Sequence, residues 1–382
     1  MIQEITQNHI NKLLSLPAYG ILANGRAGTD FLQSLFDGHP EVLTFNGFFT
    51  LYDFWETSFT NKVKDISLVD FVEEFTGKFL YKLKSRYDIQ ERKDQLGPNF
   101  DQSLDLNVEE FKKYSIDILT YLEFNSKSAL LAFTLAYHLC LGRSIDTLKI
   151  FLHHPHVEEE CLPFLKDFPS ATLLFMTRDP RANLISSVNN YSKYYPEAAG
   201  MPLIYSYIYS IFSDTNRYLN HTPNVIALKI ETLDQLSTHM QLCQTLKINY
   251  NDCMTQSTWG NLLWHGDRLS QKKAATTTSR DILRNGWEEK ISNKDLIIVN
   301  TLTREMRLHY GYTNKECSSL YRFILPFIIL FPMALEAPYL GLKALRERGF
   351  KNFCINWFYY MKRTALLFKL MKFRSFNSQK FF

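Results

Sequence analysis

Apolar positions along this chain form two patterns, short unbroken runs and longer stripes at helical spacing. The run from Tyr19 to Asn24 reads as a short buried strand, and Thr29 to Gly38 as a helix with Phe31, Leu32, Leu35 and Phe36 on one face. Between them stands the turn Gly25-Arg26-Ala27-Gly28-Thr29. From Leu51 to Ile150 the pattern is mostly helical and amphipathic, broken by a loop at LGPNFDQSLDLN. Ala171 to Met176 predicts a second buried strand, bounded by Pro169 and the TRDP turn, with a helix from Arg181 to Tyr191 after it. Pro180 can start that helix, because its fixed φ presets the first turn. Val225 to Ile230 predicts a third strand, followed by a helix from about Ser237 to Leu246. Strands alternating with helices predict an α/β fold, a central parallel sheet flanked by helices on both faces. Such sheets bind ligands beyond the carboxyl ends of their strands, where the NGRAGT and TRDPR turns both lie. No internal repeat and no low-complexity segment is present.

Composition narrows the function classes. With 382 residues, 46% hydrophobic and 21% charged, the chain is globular, and one large domain or two fit its length. The net charge of +4 hides an asymmetry: from Tyr321 to Phe382 eleven Lys or Arg stand against only Glu336 and Glu347. The preceding body is mildly acidic and has no basic stripe, which argues against nucleic acid as the main substrate. The six cysteines include no C-x-x-C pair, so neither a zinc site nor a disulfide framework is indicated. Buried reduced thiols are the plain expectation. The N-terminal stretch lacks the basic start and apolar core of a secretory signal, so a cytoplasmic location is expected.

The glycine turn suits an anion. Glycines let the backbone approach closely, N–H groups at the start of the helix point outward, Arg26 adds a forked cation and Thr29 a hydroxyl. A Walker A loop would need Lys where Thr29 stands. Farther along, Arg178 ends the second strand and Ser186 follows eight residues later on the next helix, so that both can converge on one phosphate. The alternative for that stretch is an Asp179–Arg181 surface pair with a helix-capping turn.

Together these two stretches resemble the sulfotransferases that use 3′-phosphoadenosine 5′-phosphosulfate (PAPS). In that family an R-x-G-T turn after the first strand holds the 5′-phosphosulfate. A later strand ending in R-D-P-R, with a serine eight residues beyond the first Arg, holds the 3′-phosphate. The resemblance assigns Arg26, Gly28 and Thr29 to the first role, with Gly25, Ala27 and Asp30 in the same turn, and Arg178 and Ser186 to the second. LFDGHPEV is similar to the family's L-L-D-x-H-P segment, and LKIETLDQL, with Glu231, to its Y-E-D-L stretch. NGWEEKIS to LHYGY is similar to its closing G-W-x-x-x-L to G-Y segment, which adds Arg284, Gly286 and Trp287 to the implied donor site. TWGNLLWHGDRLS looks most like carbohydrate-directed and bacterial members.

The resemblance spans roughly Tyr19 to Tyr312. It implies a nucleotide-kinase-like sulfotransferase fold, PAPS as co-substrate, no metal, and an acceptor hydroxyl on a carbohydrate, a glycan or a glycolipid precursor. The chain departs from the family in carrying Asp30 after Thr29, VLTFNGFF where the protein-tyrosine members place a catalytic Glu after H-P, and LHHPH where many members have K-T-P.

Sulfuryl transfer needs cationic stabilisation of the leaving group and one base for the acceptor hydroxyl. Arg26 is the candidate for the first. His153, His154 and His156 lie before the ATLLFM strand, where small-molecule members keep a catalytic His in K-T-H, and Asp53 and Glu56 in LYDFWE are rivals. Each is equally readable as a loop or surface residue. Trp259 and Trp264 either stack on a sugar or adenine ring or serve packing. Two other function classes stay open: a nucleotide-dependent kinase of related fold, disfavoured by the missing Walker lysine, and a non-catalytic membrane adaptor that keeps the nucleotide site.

The C-terminal stretch differs in kind. The apolar run Phe323 to Leu335 is too short to span a bilayer and is interrupted by Pro326 and Pro332. NFCINWFYYMKRTALLFKLMKFR then mixes aromatics with Lys and Arg, the pattern of a segment lying in a membrane surface. The expected division is a sulfotransferase domain over 1–316, with 51–150 shaping the acceptor site, and a tail over 317–382 that holds the protein on the inner face of the membrane. The alternative is a helical pair packed on the body or on a second subunit of a homo-oligomer.

Overall fold

The computed structural model describes residues 4–23, 25–48, 50–60, 66–212, 224–267, 287–313, 320–371 and 380–381. Five parallel strands form the sheet: β1 (Ala18–Ala23), β2 (Val42–Thr44), β3 (Ile150–His156), β4 (Thr172–Thr177) and β5 (Val225–Lys229), in the spatial order β2-β3-β1-β4-β5. A two-residue segment, Lys380–Phe381, pairs with β5 at the outer edge. The fold is α/β, as the alternation of strands and helices predicts. The chain leaves β1 in one direction to form β2 and β3 and crosses it to form β4 and β5, so a crevice opens at the carboxyl end of β1 between its two neighbours.

Side chains alternate across the sheet as the pleat requires. Leu22, Leu43, Phe151, Leu173 and Phe175 face one layer, filled by the helices of the 51–150 stretch and by Glu158–Asp167. Ile21, Val42, Leu152, Leu174, Met176 and Leu228 face the other, covered by Thr29–Leu35 and Leu236–Leu246. Strands buried on both faces read as unbroken apolar runs, which is why β1, β4 and β5 are visible in the sequence.

β2 and β3 were not expected. The LHHPH stretch does not precede the sheet as a loop; it is the body of β3, between β2 and β1. The strand is bulged: Gly20 of β1 pairs with His153 and Leu22 with His156, so that His154 and Pro155 together stand opposite Ile21. Pro155 has no N–H to give to the ladder and is tolerated at this irregularity.

Beyond the sheet, Pro180–Tyr194, Met201–Phe212 and Asn293–Leu302 share a third hydrophobic cluster with the C-terminal helices Tyr321–Ile328 and Leu342–Leu370, the latter broken at Gly349 (φ 79°). Leu325, Tyr360 and Leu367 from these helices, with Ile329 and Met333 from the stretch between them, share that cluster with Leu184, Ile204, Ile208 and Ile211 of the body. Buried Glu336 and Arg363 pair at 2.7 Å within the same cluster. Residues 314–319, where the two expected regions join, lie outside the described residues. No described helix is long and apolar enough to cross a membrane.

Candidate functional site

The crevice is built from three strand ends. After β1, Gly25 (φ 64°) and Gly28 (φ 84°) take left-handed conformations that favour glycine. Neither has room for a side chain: a Cβ on Gly28 would overlap Ile230 at the end of β5, and one on Gly25 would meet Asn183. The turn is tied across the sheet, because the Arg26 backbone N–H donates to Asn183 Oδ1 at 2.9 Å. Ser187 Oγ donates to the same oxygen at 3.2 Å and holds it in place. Ser186 stands one residue earlier and three beyond Asn183, on the flank of the helix that carries the contact, half-buried.

From β4 comes Arg178, whose Nη1 donates to the Arg26 carbonyl at 3.2 Å. Burial lowers the pKa of Arg178; Glu231 opposes that shift, and the neighbouring charge of Arg26 adds to it. Arg26 is held by Asp267, with Nη2 3.3 Å from Oδ1. Asp267 follows the small hairpin Thr258–Trp259 and Leu262–Leu263, and nothing in the sequence distinguished it as a partner of the turn.

Arg181 has a different fate from Arg178, three residues away. It is fully buried, pairs with Asp179 at 2.5 Å, donates to Asn300 Oδ1 and lies 4.3 Å over the ring of Trp287. Asp179 also caps its helix by accepting from the Arg181 N–H at 3.0 Å. The capping turn therefore exists, but the pair is internal and not at the surface. Trp287 is buried against Ala182 and Ile185 of that helix. Arg284 and Gly286 lie outside the described residues.

From β3 come the histidines, and the pleat separates them. His153 faces the first layer, its ring 5.3 Å from that of Phe164 and 6.2 Å from Phe151, and burial lowers its pKa to about 3. His154 faces the glycine turn. Its Nδ1 lies 3.2 Å from Gln33 Oε1 and 3.4 Å from Asp30 Oδ1, and its Nε2 3.1 Å from His156 Nδ1. His156 Nδ1 is also 3.3 Å from Thr29 Oγ1, which closes the ring of contacts onto the turn. His156 takes a left-handed φ of 58°, a strained value for a residue with a Cβ and one that recurs at functional sites.

These contacts assign the tautomers. Gln33 Nε2 donates to Thr44 and to the Phe45 carbonyl, and Gln33 Oε1 accepts from the Gly47 N–H, so Oε1 is an acceptor. Asp30 is a carboxylate. Burial alone would raise its pKa, but the hydrogen bond and charge of His154, with His156 and Lys82, hold it well below the usual carboxylate range. His154 therefore donates from Nδ1 and, when neutral, accepts at Nε2. When His154 is neutral, His156 donates from Nδ1 and its Nε2 lone pair is available. Among the described residues that nitrogen has no hydrogen-bond partner. Burial, then the charge of His154, lowers the His156 pKa to about 4, so the ring is neutral near pH 7.

The 51–150 stretch reaches the same place through Lys82. Its side chain is fully buried, 3.8 Å from Glu91, and burial lowers it to about 8 and raises Glu91 to about 7. Asp53 is elsewhere, paired with Lys78 at 3.2 Å at the surface, and Glu56 is exposed in the π-helical turn Glu56–Thr60. Trp259 and Trp264 are buried against each other with centroids 5.1 Å apart, Trp259 beneath Arg92 at 4.5 Å, so packing is their role here. Of the described cysteines, Cys161 and Cys243 are buried but Cys354 is exposed. Among the described residues no group of three His, Cys, Asp or Glu is arranged to hold a metal ion.

The structure thus brings Arg26, Thr29, Asp30, Arg178 and His154 together and sends His153 and Asp53 away. It also brings His156 there, the third of the candidate histidines, and adds Asn183 and Asp267. His156 was visible as a third histidine at spacing two, the signature of one strand face, but only once the stretch is taken as a strand.

No family model matches the chain, and no curated protein matches it. Among solved structures it resembles the sulfotransferase STF9 from Mycobacterium avium, with 13% sequence identity and a TM-score of 0.32 over 65% of this chain and 68% of that one. At that TM-score the overlap is too loose to bear on fold or function.

Proposed function

We propose that this chain is a PAPS-dependent sulfotransferase that moves a sulfuryl group onto a hydroxyl of a carbohydrate or glycan precursor. The reading is carried by one contact: Arg178, from the end of β4, reaches the glycine turn at the end of β1 and donates to the carbonyl of Arg26. Two arginines are thereby gathered in one crevice, beside Asp267 and Glu231. Guanidinium forks match phosphate oxygens bidentately. Gly25 and Gly28 hold the turn in a backbone shape that no residue with a Cβ fits. This donor set fits a nucleotide bearing two separate phosphate groups.

When bound, PAPS supplies an activated sulfuryl group whose leaving oxygen belongs to the 5′-phosphate. Arg26 and the amides of the turn stabilise charge at that phosphate, and Arg178 with Ser186 binds the 3′-phosphate. His156 takes the proton of the acceptor hydroxyl at Nε2. His154 Nε2 meets that ring at its Nδ1, and Asp30, on the far side of His154, stabilises the imidazolium that forms. Lys82 and the segment around Gly47 border the acceptor side.

The test is transfer itself: sulfur-labelled PAPS, the purified full chain and a panel of cell-envelope glycans. Label should pass to a glycan fraction with release of 3′-phosphoadenosine 5′-phosphate (PAP), and His156→Ala should stop transfer while nucleotide affinity remains. Absence of both label transfer and nucleotide release with every acceptor would overturn the reading.

A further inference from the structure

The C-terminal helices turn one face to the body and a second, apolar face to solvent. In the part of Leu342–Leu370 that follows Gly349, the buried residues are Asn356, Tyr360, Arg363, Thr364, Leu367 and Leu370, spaced by three and four. At about 100° per residue they occupy one arc of the helix. Phe350, Cys354, Trp357, Met361 and Phe368 repeat with the same spacing on a different arc, and all are exposed, Phe350 by 74% and Met361 by 62%. Lys351, Lys362 and Lys369 run beside this stripe and are exposed too. From Phe350 to Met371 there is no Asp or Glu.

Tyr321–Ile328 repeats the arrangement. Leu325 and Ile329 are buried, while Phe323, Phe327 and Leu330 are exposed by 77%, 69% and 53%. The two stripes adjoin, because Tyr360 Oη donates to the Leu330 carbonyl at 2.6 Å and its ring lies 5.4 Å from that of Trp357. A contiguous exposed apolar surface of this kind is uncommon on a soluble monomer and marks a contact.

We infer that this surface docks on an anionic lipid bilayer, with the aromatics at the headgroup level and the lysines against lipid charge. The charge pattern selects the occupant: an apolar stripe flanked by cations with no acid complements a negatively charged bilayer. A second copy of the chain would set lysine against lysine across a two-fold contact. Because the neighbouring arc of the same helix is packed into the body, docking fixes the orientation of the whole domain on the membrane. It does not tether the domain on a loose tail.

The test uses the full chain and sedimentation with vesicles of phosphatidylcholine alone or mixed with phosphatidylserine. Binding to the mixed vesicles should be stronger and should weaken in salt by screening. A Lys351→Glu, Lys362→Glu, Lys369→Glu variant should lose affinity for the mixed vesicles at least about tenfold. A Phe350→Ser, Phe358→Ser, Met361→Ser variant should lose the part of binding that survives high salt. All of these side chains are exposed, so an unchanged melting temperature verifies the fold. Equal binding to both vesicle types that neither variant alters overturns the inference. So does a dimer in sedimentation velocity that the serine variant dissociates while vesicle binding is absent.

Discussion

The crevice at the strand ends and the outer face of the C-terminal helices break the ordinary rule of burial in opposite directions. In the crevice, charged and polar groups are drawn inside: His154 is fully buried, Lys82 is fully buried, and Arg178 loses much of its water. On the C-terminal helices, Phe323, Phe327, Phe350 and Phe358 are left outside. Neither departure helps folding, since buried charge and exposed aromatic surface both cost free energy. In the proposed reading the two departures serve different ends, and they differ in scale. The crevice is rigid, tied by hydrogen bonds from three strand ends, and suits a small anion. The helical face is broad and apolar with few directional groups, and suits a surface.

If this contrast is right, substitutions in the two places separate cleanly. The largest effect falls on the histidines. His156→Ala should lower turnover by about 10²–10⁴-fold with nucleotide affinity nearly unchanged, because a lost base costs that much. His153→Leu, on the same strand but facing Phe164, should leave turnover within a few-fold, and steady-state kinetics of both variants checks the pair.

Next comes the joint between the regions. Glu336→Ala leaves the buried Arg363 guanidinium without its carboxylate and should destabilise the protein by about 3–5 kcal/mol in chemical denaturation. Asp53→Ala, which removes a surface pair, should cost no more than about 1 kcal/mol. Comparable losses for the two would mean that the C-terminal helices are not part of the core.

A third effect follows from the lowered pKa values of His153, about 3, and His156, about 4, against the ordinary 6.5. Below pH 6.5 the unfolded chain takes up protons that the folded one refuses, so stability present above pH 6.5 is lost as pH falls toward the folded values. Each histidine steepens that loss by up to about 1.4 kcal/mol per pH unit. Denaturation curves between neutral and mildly acidic pH should show it, and His153→Phe should flatten the slope. The smallest effect concerns Asp267, which shares the Arg26 guanidinium with any anionic ligand. Asp267→Asn should tighten nucleotide binding by no more than about fivefold, the worth of a partly exposed pair.

The sequence made parts of this legible for definite reasons. β1, β4 and β5 show because both faces are apolar, and the turn shows because two glycines and an arginine interrupt that pattern. β3 is hidden because three histidines and a proline replace the apolar run, and β2 because three residues are too few to carry a period. Arg178 and Arg181 look alike in TRDPR, and only the packing of Trp287 and Asn300 tells which one is internal. The aromatic and basic outer stripe of the C-terminal helix can be read directly. Its inner stripe cannot, since Asn356, Arg363 and Thr364 are polar residues whose partners lie on other elements. Asp267 depends on the approach of a distant hairpin, which no local pattern encodes.

The central claim is that Arg178 and the glycine turn form one site for a nucleotide with two separate phosphate groups. Titration calorimetry with PAP and with the same nucleotide lacking its 3′-phosphate tests it most directly. PAP should bind more tightly to the native chain by about ten- to a hundredfold, the worth of a charge-assisted pair, and Arg178→Ala should remove most of that difference. Equal affinity of the native chain for the two nucleotides would contradict the account.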